Sequence, residues 1–233
     1  MEDATVTGRR RLLGLAAATP LLLAAEEPSP PLSPAQRLLF ETPHLAGLHA
    51  PLRLVYDFRR EEEGREPVGD VIRLAVREGE APGRFDVTPE FLTGPRALHY
   101  PPAPGFRGNP LLLFALDREA RELSAATGGS TVWFRNRIRQ GFVDAAAMQR
   151  ITLPFEGRPV PATEVVLQPF GGERRARRYQ AMRLRFVLAE AVPGWIHSIG
   201  SEVPAADGSG DGHGAVREAI VFARAEALPT AAP

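Results

Sequence analysis

Near the C-terminus, Asp207-Gly208-Ser209-Gly210-Asp211-Gly212 sets oxygen-bearing side chains at alternate positions, and Glu218 stands twelfth counting from Asp207. This is the spacing of a calcium loop, which takes ligands at positions one, three and five, a glycine at six and a two-oxygen carboxylate at twelve. Asp207, Ser209, Asp211 and Glu218 are therefore the candidate metal ligands, and calcium is the one cofactor the sequence suggests. The competing reading is a Gly/Asp-rich hairpin loop between the last two strands. It is favoured because Val203-Pro204 stands where a helix should precede the loop, and Gly214 replaces the apolar residue expected eighth.

Other chemistry is sparse. His44, His49, His99, His197 and His213 include no pair at the i, i+4 spacing that places two ligands on one helix face. Cysteine and lysine are both absent, which removes thiolate sites, disulfides and Schiff-base catalysis. No G-x-S-x-G elbow, Walker loop or dinucleotide fingerprint occurs. With no catalytic constellation to read, the sequence leans away from an enzyme. Two arginine clusters, Arg135-Asn136-Arg137-Ile138-Arg139 and Arg174-Arg175-Ala176-Arg177-Arg178, could hold phosphate or carboxylate through guanidinium forks. The chain balances 28 basic against 28 acidic residues, so it lacks the field of a nucleic-acid binder.

Positioning these residues requires elements, and the periodicity supplies them. Leu52, Leu54, Tyr56 and Phe58 alternate with charged residues, as do Ile72, Leu74 and Val76, then Phe85, Val87 and Phe91. Short Gly- and Pro-containing connections make these three strands an antiparallel meander. The prolines at 101, 102 and 104 read as a stiff surface connection. Asn109-Pro110 then starts a helix with Leu113, Leu116, Ala120 and Leu123 on its apolar face and Arg118, Glu119 and Glu122 opposite; Gly128-Gly129 ends it. A second helix from Ser130 or Thr131 carries Phe134, Ile138, Phe142 and Ala145 on one face. Strand periodicity returns at Ile151, Val165, Met182, Trp195 and Glu218, with Trp195, His197 and Ile199 sharing a face. The order β-β-β-α-α-β-β-β-β-β argues for one α+β domain, a curved antiparallel sheet covered by two inserted helices.

The N-terminus has its own pattern. Gly8-Arg9-Arg10-Arg11-Leu12-Leu13 leads into a mildly apolar run to Ala25 and resembles a twin-arginine export signal. The resemblance implies recognition by the export machinery and a periplasmic location. The expected organisation is a signal over 1–25, a Pro-rich linker over 26–50, the domain over 51–226 and a tail over 227–233. Meander strands, an aromatic helical insertion and a longer run of strands behind such a signal resemble the periplasmic LolA/LolB-type lipoprotein carriers. That resemblance implies a half-open barrel with helices over its mouth and an apolar cavity for acyl chains. The chain lacks the lipobox cysteine of part of that family.

These readings favour an exported, non-enzymatic carrier of a lipid or other amphipathic molecule. The ligand-binding candidates are Leu113, Leu116, Trp133, Phe134, Arg135 and Arg139, on the two helices. The alternative is an envelope accessory or scaffold protein that binds a protein partner. A hydrolase is the least favoured reading.

Overall fold

The computed structural model describes residues 31–144, 146–205 and 214–229. Its strands are β1 (Leu52–Glu62), β2 (Val68–Glu78), β3 (Phe85–Phe91), β4 (Ala103–Phe106), β5 (Ala147–Phe155), β6 (Arg158–Leu167), β7 (Arg183–Leu188), β8 (Ile196–Val203) and β9 (Val216–Ala227). The helices are α1 (Pro34–Gln36), continued by a π-helical turn at Arg37–Glu41, then α2 (Leu111–Thr127) and α3 (Thr131–Asp144). No helix among the described residues is long and apolar enough to cross a membrane.

All strands join one antiparallel sheet in the order β4-β3-β2-β1-β9-β8-β7-β6-β5, an α+β fold whose sheet does not close into a barrel. It is two meanders, β1 to β4 and β5 to β9, fused where the first strand pairs with the last. β4 and β5 lie on opposite edges. The segment joining them must therefore cross the sheet, and α2 and α3 are that segment. One face is covered as a consequence of connectivity.

Local signals account for most element boundaries. Gly128, with φ 71°, ends α2 in the left-handed region that a side chain with Cβ resists. Glu156 and Gly157 both take positive φ, 48° and 74°, the geometry of a tight hairpin between β5 and β6. Asn109 organises the start of α2. Its Oδ1 accepts from Leu111 N–H at 3.1 Å, and its Nδ2 donates to Tyr56 Oη at 2.9 Å and to Gly194 O at 3.1 Å. Asn109 N–H donates to His44 Nδ1 at 3.2 Å while His44 Nε2 donates to Leu38 O at 2.8 Å, an arrangement that needs the neutral ring. Burial, outweighing the bond to Leu38, holds the His44 pKa below its ordinary value. Gly194 takes φ 73°, and a Cβ there would lie 2.8 Å from Leu54 Cδ1 and 2.9 Å from Asn109 Nδ2, so a larger residue would push aside the side chains that seat α2.

Several expectations are corrected. The linker expected to run to residue 50 ends earlier: Ser33 and Gln36 form a capping box, and Ala35, Leu39 and Leu45 join the main core. β9 continues through Ala227, so the expected tail begins too early. The 101–105 connection contains β4, tied to β3 by a Gly105 N–H bond to Asp86 Oδ1 of 2.8 Å. α2 is rotated from the expected phase: Leu113 is 46% exposed, whereas Leu111, Leu112, Phe114, Ala115 and Arg118 are buried. Trp195 precedes β8 with φ 64°, and a register shift follows at Val187/Leu188. Ile196 and Ile199 therefore enter the core, while His197 reaches the other face of the sheet.

Candidate functional site

α3 folds back on α2 after Gly128 and Gly129, and α1 packs against α3. Ser33 Oγ donates to Phe142 O at 2.9 Å, and the Phe40 and Phe142 rings meet edge to face at 5.2 Å. Between these three elements a groove of about 630 Å³ opens on the outer side of the helices. Its apolar surface comes from Phe40, Leu113, Leu116, Ile138, Phe142 and Val143. Phe40, Leu113 and Val143 are 40%, 46% and 49% exposed, which makes this a clustered apolar surface rather than scattered surface leucines.

The rim is polar. Asp117 accepts from Arg121 Nε at 2.6 Å and also pairs with Arg135, so Arg135 arrives already neutralised. Arg139 is exposed and forms no ion pair among the described residues. The groove thus offers an apolar floor with one uncommitted guanidinium at its edge. A volume of this size falls within the range of small-molecule sites.

Four of the six expected ligand-binding residues, Leu113, Leu116, Arg135 and Arg139, line this groove together. Trp133 and Phe134 do not. Phe134 is fully buried against Phe170 at 5.5 Å, and Trp133 stacks on Phe170 at 6.1 Å, so both cement α3 to the body of the domain. Gln36 and Phe40 fall in the segment whose proline content alone predicts a linker to residue 50. The Ser33-Pro34-Ala35-Gln36 capping signature followed by Leu38-Leu39-Phe40 was the available signal.

Beneath the helices, where a carrier-like barrel would hold acyl chains, the space is filled by Tyr56, Phe91, Phe134, Phe142, Phe170 and Phe186, all under 2% exposed. The cavity between α2 and the sheet is about 20 Å³, near the size of a single water. The apolar cavity implied for that position is therefore replaced by packed side chains, and the open volume lies outside the helices.

That small cavity is ringed by charge. Arg118 is buried and grips Glu218 with both arms of its fork, Nη1 to Oε2 at 2.5 Å and Nη2 to Oε1 at 3.1 Å. Arg60 Nη1 adds a third bond to Glu218 Oε1 at 2.7 Å, and the Arg118 guanidinium stacks 4.8 Å above the Phe58 ring. Glu119, half-buried, lines the same cavity as Ser201 and Glu218. Burial first, and the Glu218 charge second, push the Glu119 carboxyl up to about 8.

Glu218 was a candidate calcium ligand. Both of its oxygens are spent on Arg118 and Arg60, so it is not free to complete a metal site. Asp207, Ser209 and Asp211 lie outside the described residues, as do the expected signal over 1–25 and His213. No cluster of three or more His, Asp or Glu suited to a metal occurs among the described residues. Arg118 and Glu119 were expected on the solvent side of α2. In-phase alternation of Glu218 with Ile220 and Phe222 was the signal that an inward carboxylate needed an inward arginine.

No family model matches this chain, and no curated protein matches it. Among solved structures, a LolA superfamily protein from Nitrosomonas europaea is similar over 84% of this chain and 94% of that one, at 6% identity and a TM-score of 0.25. At that TM-score the superposition carries no functional argument.

Proposed function

We propose that this chain is an exported, non-enzymatic binding protein for an amphipathic anion, held in the groove between α1, α2 and α3. The observation that carries this reading is the exposed apolar floor of Phe40, Leu113 and Val143 beside Arg139, which forms no ion pair among the described residues. An acyl chain or similar body covers the floor, removing apolar area from water at about 25 cal/mol per Å². A carboxylate or phosphate head meets Arg139. Export is supported by Gly8-Arg9-Arg10-Arg11-Leu12-Leu13, which suits a protein that crosses a membrane already folded.

Titration with dodecanoate, followed by calorimetry, tests the site. Leu113→Glu and Arg139→Glu change exposed side chains and should leave the melting temperature within a few degrees, while each weakens dodecanoate by about tenfold or more. Unchanged affinity in both variants would remove the groove from consideration.

A further inference from the structure

The face of the sheet turned away from α2 and α3 carries a second hollow. Register places Arg59, Ala219, Gly200 and Arg185 in one row across β1, β9, β8 and β7. The neighbouring row, Phe58, Ile220, Ile199 and Phe186, points the other way into the main core. Where the centre of a sheet commonly carries β-branched residues, this row has alanine and glycine, with Ser198 and Val221 beside them. The result is a trough of about 610 Å³ walled by arginines on β1 and β7. Three inter-strand spacings separate those walls, roughly 14 Å.

The charge around the trough is unequal. Arg59, Arg183, Arg185 and Arg217 face Glu61, Glu164 and Glu202. Arg59 pairs with Glu61 at 2.6 Å, Arg217 with Glu202 at 3.1 Å and Arg185 with Glu164. Glu218 borders the trough by position, but its carboxylate is held by Arg118 and Arg60. Arg183 has no acidic partner among the described residues. The Arg59–Glu61 and Arg217–Glu202 pairs are exposed on both sides, and pairs of that kind are worth little and exchange readily for an incoming carboxylate, whereas Glu164 is largely covered and stays with Arg185. His197, on β8 between the walls, keeps its Nδ1 buried without a hydrogen-bond partner among the described residues. A ligand with amide groups can supply that partner, which an acyl chain cannot.

We propose that this trough binds an extended acidic peptide segment, a function separate from the helical groove. Its walls stand about four to five extended residues apart. Small side chains between them leave depth for the peptide's own apolar residues, and its carboxylates meet Arg183 directly and replace Glu61 on Arg59, with the exposed Arg185 guanidinium beside them. The occupant is anionic because the trough's lining has one guanidinium more than it has carboxylates to answer it.

Fluorescence anisotropy with the full chain and a labelled Val-Glu-Val-Glu-Val-Glu peptide tests the proposal. Binding should weaken about tenfold or more in Arg59→Gln/Arg185→Gln, and comparably in Ala219→Leu, which fills the floor without altering charge. It should weaken with added salt and stay unchanged in Leu113→Glu, so that failure here is distinct from failure of the helical groove. A thermal melt of each variant checks the fold, and Ser198→Leu replaces Ala219→Leu if the latter does not fold. Equal binding of the Val-Lys counterpart, full displacement by inorganic phosphate at matched concentration, or unchanged affinity in the trough variants would each overturn it.

Discussion

The two faces of the sheet use the same side chains to opposite ends. On the helix side, the Arg118 and Glu218 side chains are 7% and 9% exposed and joined by two hydrogen bonds. On the other side, Arg59 and Glu61 pair at 2.6 Å but remain 65% and 48% exposed. Burial makes the difference. A desolvated charge has no water to fall back on, so each partner becomes obligatory to the other. An exposed pair loses little when either partner leaves, which is what a surface available to a charged ligand requires. The knot under α2 therefore fixes where the helix sits, while the trough keeps its arginines exchangeable.

Mutation can break that contrast, and the largest effect belongs to the buried side. Arg118→Met leaves Glu218 with Arg60 alone and should cost about 3–5 kcal/mol in urea denaturation. Arg118→Met/Glu218→Leu should recover most of the loss, since no uncompensated charge remains. If the double variant were as unstable as the single one, stacking on Phe58 rather than charge pairing would be what seats α2.

A smaller effect comes from Glu119 and depends on pH. Its native carboxyl titrates at about 8 against an ordinary 4.5, so between those values the native state keeps a proton that the unfolded chain releases. Stability contributed at this position is full below about 4.5 and declines as pH rises toward 8. Glu119→Gln should consequently be the more stable protein at pH 8, by about 1–3 kcal/mol, with the advantage vanishing near pH 4.5. Urea midpoints across that range give the comparison, and parallel curves would show that the carboxyl is ionised throughout.

The smallest effect is expected in the trough. Arg59→Ala breaks the pair with Glu61, yet it should move stability by no more than about 0.5 kcal/mol. A loss several times larger would mean that the outer pairs hold the sheet together, and the contrast between the faces would collapse.

Much of the fold was legible along the chain. The alternation at Leu54, Tyr56 and Phe58, the start of α2 after Asn109-Pro110 and its stop at Gly128-Gly129 all arise from interactions within a few residues, and they reappear in the structure. β4 was hidden because prolines at 101, 102 and 104 argue locally against a strand, although an edge position next to β3 tolerates them. The groove was half legible. Leu113, Leu116, Arg135 and Arg139 were found by periodicity and charge, whereas Gln36 and Phe40 depend on a chain segment folding back across α3.

What the sequence determined by itself is therefore the set of short-range facts: strand and helix periods, caps, tight turns, the absence of cysteine and lysine, and the balanced charge. Only the tertiary structure decided that β1 pairs with β9, which face α2 covers, and that Glu218 is answered by Arg118 from a helix 100 residues earlier. The reason is physical. Local patterns are set by backbone geometry over one or two turns, but the worth of a charge is set by the water it loses. That loss depends on which distant elements close over it.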